Sequence, residues 1–202
     1  MEDEAYDRRE ELLAEYIQRL PLESQPGKPF VIGLMGLVGS GKSTVAAEIS
    51  KRFSIPVGSN DDIRRFLNEQ GYGGDAPVQQ TLQYIAEAAS DYLYEHGVSH
   101  IIDADLFKFA AGAKERAERN GFRFVLIEIV CPEEVILERI ALRSRNIDKG
   151  ISSDDASRAD LKEFERRKAV WASAHKPHAD IVIHSDRPIN AQIGKLVELL
   201  QE

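Results

Sequence analysis

Residues 36–43 read Gly36-Leu37-Val38-Gly39-Ser40-Gly41-Lys42-Ser43, a fit to G-x-x-x-x-G-K-[ST] at every fixed position. The run before it, Val31-Ile32-Gly33-Leu34-Met35, is apolar, and a helical pattern follows from Ser43 to Phe53. A strand, a glycine-rich turn and a helix in that order are what a phosphate-binding loop requires. The glycines let the backbone curl until successive N–H groups point inward at an anion. The helix beginning near Ser43 adds its unpaired N–H groups and the positive end of its dipole. Lys42 then supplies a mobile ammonium for β- and γ-phosphates, and the Ser43 hydroxyl is a ligand for Mg²⁺. The rival reading, a glycine-rich turn that happens to contain Lys-Ser, does not explain the strand and helix in register. Candidate nucleotide contacts are therefore Gly36, Val38, Gly39, Ser40, Gly41, Lys42, Ser43 and Thr44.

The rest of the chain alternates short apolar runs with helical stretches. Strands are expected at Phe30–Met35, Ile55–Val57, Val98–Ile102, Phe122–Val130 and Ala179–Ile183. Helices are expected near 61–69, 77–96, 110–120, 132–144 and 156–173, and from Ile189 to the end. That pattern implies an α/β fold in three layers, a five-stranded parallel sheet with helices on both faces. Residues 1–29 stand apart as an amphipathic helix (about Glu4 to Leu20, with Leu12, Leu13, Tyr16, Ile17 and Leu20 on one face) and a Pro/Gly linker. Packing on residues 30–202 is the simpler use for that face; binding a partner is the alternative.

Two further segments carry chemistry. Ser59-Asn60-Asp61-Asp62-Ile63-Arg64-Arg65 places Asp61 and Arg64 three apart on one helical face, at the end of a strand where open α/β sheets put ligands. The same residues can be read as an N-cap, with Asn60 or Asp61 capping and Arg64 solvated. Val98-Ser99-His100-Ile101-Ile102-Asp103 ends an apolar run in an acid, which suits Asp103 to holding Mg²⁺ opposite Ser43.

These motifs together resemble the P-loop kinases of the group containing phage-type polynucleotide kinases, chloramphenicol phosphotransferase and zeta-toxin-like kinases, an AAA-type ATP-binding kinase-like domain. The likeness runs roughly from Phe30 to Leu200. It implies strand order 2-3-1-4-5 and transfer of the ATP γ-phosphate to a hydroxyl. It also makes Asp61 the carboxylate that orients or deprotonates the acceptor, with Asp62 as its rival. Arg64 would steady the transferring group or an acceptor phosphate. Arginines of a lid at about 139–156 (Arg139, Arg143 and Arg145) would reach the phosphates, with Arg143 and Arg145 preferred as catalytic. A solvated basic face is the plainer alternative for those three. By the same likeness, Ser185 lies in the loop that flanks adenine, and Ser152–Ala156 opens the helix after the lid. The chain departs from the pattern at Asp103-Ala104-Asp105, where Asp105 is an extra carboxylate, read here as a solvated loop acid. Gln79, Gln80 and Tyr84 are candidates for an acceptor pocket, Trp171 for packing, and Cys131 for a buried, inert thiol.

Composition narrows the partners. The 202 residues carry a net charge of −8, which counts against long nucleic acid or an anionic membrane surface as the main target. Residues 139–176 contain ten Lys and Arg against six Asp and Glu, so this segment is +4 and the remainder −12. An anionic ligand fits the local charge. One cysteine, an acidic N-terminus and no long apolar run lead to the expectation of a cytoplasmic protein without disulfide or membrane span. The expected ligands are ATP, Mg²⁺ and a small-molecule or nucleotide-like acceptor. The competing functions are a polynucleotide 5′-hydroxyl kinase and a non-catalytic nucleotide-binding module.

Overall fold

In the computed structural model, residues 2–22, 27–72, 76–148 and 160–201 are described. The Ser152–Ala156 helix start and the part of the lid beyond residue 148 lie outside them. The chain runs α1 (Glu2–Asp7), α2 (Arg9–Gln18), β1 (Phe30–Met35), α3 (Lys42–Phe53), β2 (Val57–Ser59), α4 (Asn60–Glu69) and α5 (Ala76–Glu95). It continues through β3 (His100–Asp103), α6 (Ala110–Arg119), β4 (Arg123–Val130), α7 (Glu133–Asp148), α8 (Leu161–Ser173), β5 (Ile181–His184) and α9 (Asn190–Gln201). All strand pairs are parallel and the order is β2-β3-β1-β4-β5, as the resemblance implied.

The unbroken apolar run of β1 marks a strand buried on both faces. On one face Ile32, Leu34, Ile127 and Ile183 meet Val45 and Ile49 of α3 and Ile193 and Leu196 of α9. On the other, Val31 and Phe122 meet Tyr94 of α5 and Ala117 of α6, and Met35 and Leu126 meet Ala110. Three strands differ from the sequence reading by more than one residue, the last being β5 at Ile181–His184 rather than Ala179–Ile183. The second strand is Val57–Ser59 rather than Ile55–Val57, because Pro56 offers the sheet only its carbonyl, which accepts from the Ile101 N–H at 3.0 Å. The pairing then carries to Ser59, opposite Asp103. The third strand likewise slides to His100–Asp103. Both shifts bring polar residues to the carboxyl edge of the sheet.

The N-terminal segment forms two helices broken at Arg8, whose guanidinium bonds Glu11 at 2.7 Å and the Tyr72 hydroxyl at 2.8 Å. Leu12 and Tyr16 are buried among Ile63, Phe66, Leu67 and Leu82, so this face is spent on packing against α4 and α5. Among the described residues, no helix is long and apolar enough to cross a membrane.

His100 is buried at 1 % exposure between the rings of Tyr94 and Phe122, which meet it edge-on. Burial, with a further push from Arg116, lowers its pKa to about 4 against the donor bond to the Val98 carbonyl. The folded state thus holds a neutral ring that the unfolded chain protonates below about 6.5.

Two outcomes are expected. Leu12→Ala should lower the unfolding free energy by about 2–5 kcal/mol in a urea titration with an unchanged m-value; a loss under about 0.5 kcal/mol would mean that α2 is only loosely docked. The His100 contribution should be fully present above pH 6.5 and fade as the pH falls to about 4, by about 3 kcal/mol in all. Asp103, raised by burial, acts in the opposite sense, so the check is the difference between wild type and His100→Phe. That difference should vary with pH only in this window.

Candidate active site

The phosphate loop leaves β1 at Met35 and enters α3 at Lys42. Two glycines are obligatory for steric reasons. A Cβ on Gly36 would lie 2.7 Å from the Ser40 hydroxyl and 2.8 Å from the Ile129 carbonyl, and Gly41 caps α3 at φ +94°. The curled loop is strapped from outside. Arg139 of α7 donates to the Ser40 carbonyl at 3.4 Å, to the Ser185 hydroxyl at 3.0 Å and to the Ser185 carbonyl at 3.0 Å. The Ser185 hydroxyl donates to the same Ser40 carbonyl. Val38, Gly39, Gly41, Lys42, Ser43 and Thr44 lie on the wall of a cleft of about 1180 Å³, whereas Gly36 and Ser40 are buried behind it.

Lys42 donates to the carbonyls of Gly36 at 2.8 Å and Leu37 at 3.2 Å. Desolvation holds its ammonium below the ordinary lysine value; the carboxylates of Asp105, Asp103 and Asp61 oppose this and Arg167 adds to it. Beside it Asp103 bonds the Ser43 hydroxyl, yet burial raises the acid, with Asp62 contributing in the same direction. A desolvated carboxylate joined to a hydroxyl, both facing a phosphate loop, is an oxygen donor set that fits Mg²⁺, which takes one or two protein ligands and completes its shell with phosphate and water.

Across the cleft, α4 is capped by Ser59, whose hydroxyl accepts from the N–H groups of Asp61 at 3.2 Å and Asp62 at 3.4 Å. Neither Asn60 nor Asp61 is the cap, so the Asp61 carboxylate is left for the cleft, which it lines while ion-paired to Arg64. Asp62 pairs instead with Arg65 at 2.8 Å and is not among the cleft residues. The one-residue choice between the two acids is made by this cap.

Arg139 and Arg143 line the cleft; Arg145 is exposed and is not among its lining residues. The sequence reading missed Arg166 and Arg167 of α8, which do line it. Their signal was the position of both in the +4 segment, three and four residues after Glu163. Glu163 gathers the pair, accepting from Arg166 and Arg167 at 2.7 and 2.8 Å, and is drawn down to about 2 by hydrogen bonds, that from Arg166 first. Asp105 is not a solvated loop acid. It is 13 % exposed and accepts from Arg167 at 3.3 Å and from the Trp171 indole at 3.4 Å, tying the end of β3 to α8. Trp171 packs as expected, stacked on Phe107 at 4.4 Å. Cys131 is half-buried and receives Arg139 at 3.4 Å. Gln79 reaches the cleft wall, but Gln80 does not, and the Tyr84 hydroxyl donates to Glu10.

Comparisons agree with this geometry. The chain is 32% identical over 160 residues to a UPF0200/UPF0201 protein of Archaeoglobus fulgidus, covering 70% of this chain and 45% of that one; it therefore spans less than half of that relative. Among solved structures, the PezAT toxin–antitoxin system of Streptococcus pneumoniae superposes with TM-score 0.61 at 20% identity, over 90% of this chain and 78% of that one. The Mycobacterium tuberculosis APS kinase CysC, in complex with AMPPNP and APS, gives 0.56 at 20% identity, over 88% of this chain and 100% of that one. Residues 31–174 match the family model AAA_33, described as an AAA domain. With its phosphate loop, parallel sheet and strand order, the chain has a P-loop kinase-like fold and belongs to the AAA_33 family.

Proposed function

We propose that the chain is an ATP- and Mg²⁺-dependent phosphotransferase acting on a hydroxyl of a small-molecule or nucleotide-like acceptor. The observation that carries this reading is the meeting, in one cleft, of Lys42 and Ser43, the acid Asp103, the Asp61–Arg64 pair and the arginines 139 and 143. A regulatory module needs the first of these but has no use for a carboxylate on the acceptor side.

Loop N–H groups and Lys42 bind the β- and γ-phosphates, whose negative charge adds to that of Asp105, Asp103 and Asp61 in favouring the ammonium that burial opposes. Ser43 and Asp103 would hold Mg²⁺, which when bound neutralises charge on the phosphate oxygens. The acceptor oxygen attacks the γ-phosphorus as the bond to the ADP oxygen breaks, and the hydroxyl proton passes to the Asp61 carboxylate. Arg64 fixes that carboxylate through their ion pair. Arg143 offers positive charge to the group in flight, and Arg139, Gly41 and Ser185 keep the loop curled around it.

Lys42→Ala should lose both nucleotide affinity and transfer in a γ-labelled ATP assay. Asp61→Asn should leave the ATP dissociation constant within a few-fold while lowering the transfer rate about 10²–10⁴-fold, measured by titration calorimetry and product labelling across a hydroxyl-acceptor panel. An undiminished rate in Asp61→Asn removes the assignment of the acceptor base. A 5′-hydroxyl oligonucleotide belongs in the panel; its selective labelling would replace the small acceptor with a polynucleotide.

A further inference from the structure

The helix that carries Asp61 and Arg64 is tied to the sheet at its first turn. α4 leaves β2 at Ser59, whose pairing with Asp103 and cap on the Asp61 and Asp62 N–H groups fix that end. Its apolar face, Ile63, Phe66 and Leu67, packs with Leu12 and Tyr16 of α2 and with Leu82 and Ile85 of α5. Among the described residues, this cluster shares no member with the core on either face of the sheet. The direction of α4 away from Ser59 is therefore set by α5 and by the N-terminal segment. A helical side chain ends about 5–6 Å from the helix axis, so a tilt of about 10° displaces a carboxylate there by about 1 Å.

The N-terminal segment grips the far half of α4. The rings of Tyr16 and Phe66 meet at 5.4 Å. The Arg19 guanidinium lies 4.6 Å over the Phe66 ring and donates to the Glu69 carboxylate at 2.6 Å. Arg8 donates to the Tyr72 hydroxyl, just beyond the helix, at 2.8 Å. The same segment holds α5, where the Tyr84 hydroxyl donates to Glu10 and Arg9 lies over the Tyr84 ring at 5.5 Å. Yet α1 and α2 lie outside residues 31–174, the part that matches the family model. Residues that belong to no phosphate-transfer motif complete the packing of the helix that bears the acceptor acid.

We propose that the N-terminal helices are a positioning element of the phosphotransferase: Tyr16 and Arg19 hold the far half of α4 and thereby aim Asp61 and Arg64 at the phosphate cleft. The inference rests on the kinase reading of the cleft and deepens it. Tyr16 and Arg19 act through Asp61, whereas the phosphate loop, strapped by Arg139 and Ser185, is independent of them.

The test uses the full chain. Tyr16→Ala removes the ring that meets Phe66, and Tyr16→Phe keeps it. Arg19→Ala removes the tie to Glu69 from a half-exposed position and leaves the core intact. The acceptors are glycerol, uridine, benzyl alcohol and a 5′-hydroxyl oligonucleotide, with γ-labelled ATP. For whichever of these the wild type labels, Tyr16→Ala should lower kcat about tenfold and Arg19→Ala about threefold, with the ATP dissociation constant within about twofold by calorimetry. Tyr16→Phe should keep the wild-type rate. In an Asp61→Asn background neither alanine should cost anything further, because a residue that acts through Asp61 has nothing left to position. Amide exchange should quicken across Asn60–Glu69 in Tyr16→Ala while Lys42–Phe53 keeps its protection; a purely stabilising role would quicken both. An unchanged kcat in both alanine variants, or the same fractional loss in the Asp61→Asn background, overturns the inference. No transfer by the wild type to any of the four sinks the kinase reading, and amide exchange then decides the clasp alone. Selective quickening in α4 keeps the clasp without a catalytic role, and its absence removes the clasp as well.

Discussion

The strap on the phosphate loop is the constraint on which the site depends. A loop whose N–H groups converge on one point is electrostatically unfavourable until an anion arrives, and its internal bonds, from Lys42 to the Gly36 and Leu37 carbonyls and from the Ser40 N–H to the Leu37 carbonyl, are reinforced from outside. Here the Ser40 carbonyl is fixed from outside by Arg139 and Ser185, which join the loop to α7 and to the end of β5. Gly41 allows them to approach, since a Cβ there would lie 3.2 Å from both side chains. Preorganisation of this kind is what lets fixed dipoles stabilise charge without reorganising at the moment of reaction. It also ties the geometry of the loop to the far edge of the sheet, so α7, β5 and β1 act as one unit.

Around Lys42 three carboxylates divide the work by their partners. Asp61 is held by Arg64, Asp103 by the Ser43 hydroxyl, and Asp105 by Arg167 and Trp171. All three act on the same ammonium, opposing the burial that holds it below the ordinary lysine value. The third acid, a departure from the family's pattern, belongs to the scaffold: it joins the end of β3 to α8, the helix that brings Arg166 and Arg167 to the cleft. Through it the carboxyl end of β3 and the far wall of the cleft are coupled by an ion pair whose carboxylate is largely shielded from water.

The sheet and the phosphate loop were legible because their signals are local. An apolar run, three glycines and Lys-Ser within one stretch leave little freedom, and β1 falls on the residues its sequence suggests. The strand ends were less legible, because β2 and β3 are fixed by pairing Ser59 with Asp103 rather than by their own apolar runs. The same region holds the two neighbouring acids. Spacing alone pairs Asp61 with Arg64 as readily as Asp62 with Arg65, and in the structure Ser59 takes the cap, Asp61 lines the cleft and Asp62 does not. Arg145 and Asp105 show the limit from two sides: a charge near a motif can stay in solvent, and an apparent surface acid can be buried by a helix more than fifty residues away.

A second cavity, of about 350 Å³, was invisible in the sequence for a stronger reason: its walls come from α2 and Leu20 beyond it, β2, α4, α5, β3 and α6, from Tyr16 to Arg116 along the chain. His100, inside the third strand, meets the rings of Tyr94 and Phe122 edge-on, as a core residue does. A net charge of −8 is compatible with an anionic ligand, because Lys42, Arg139, Arg143, Arg166 and Arg167 are gathered on the walls of one cleft.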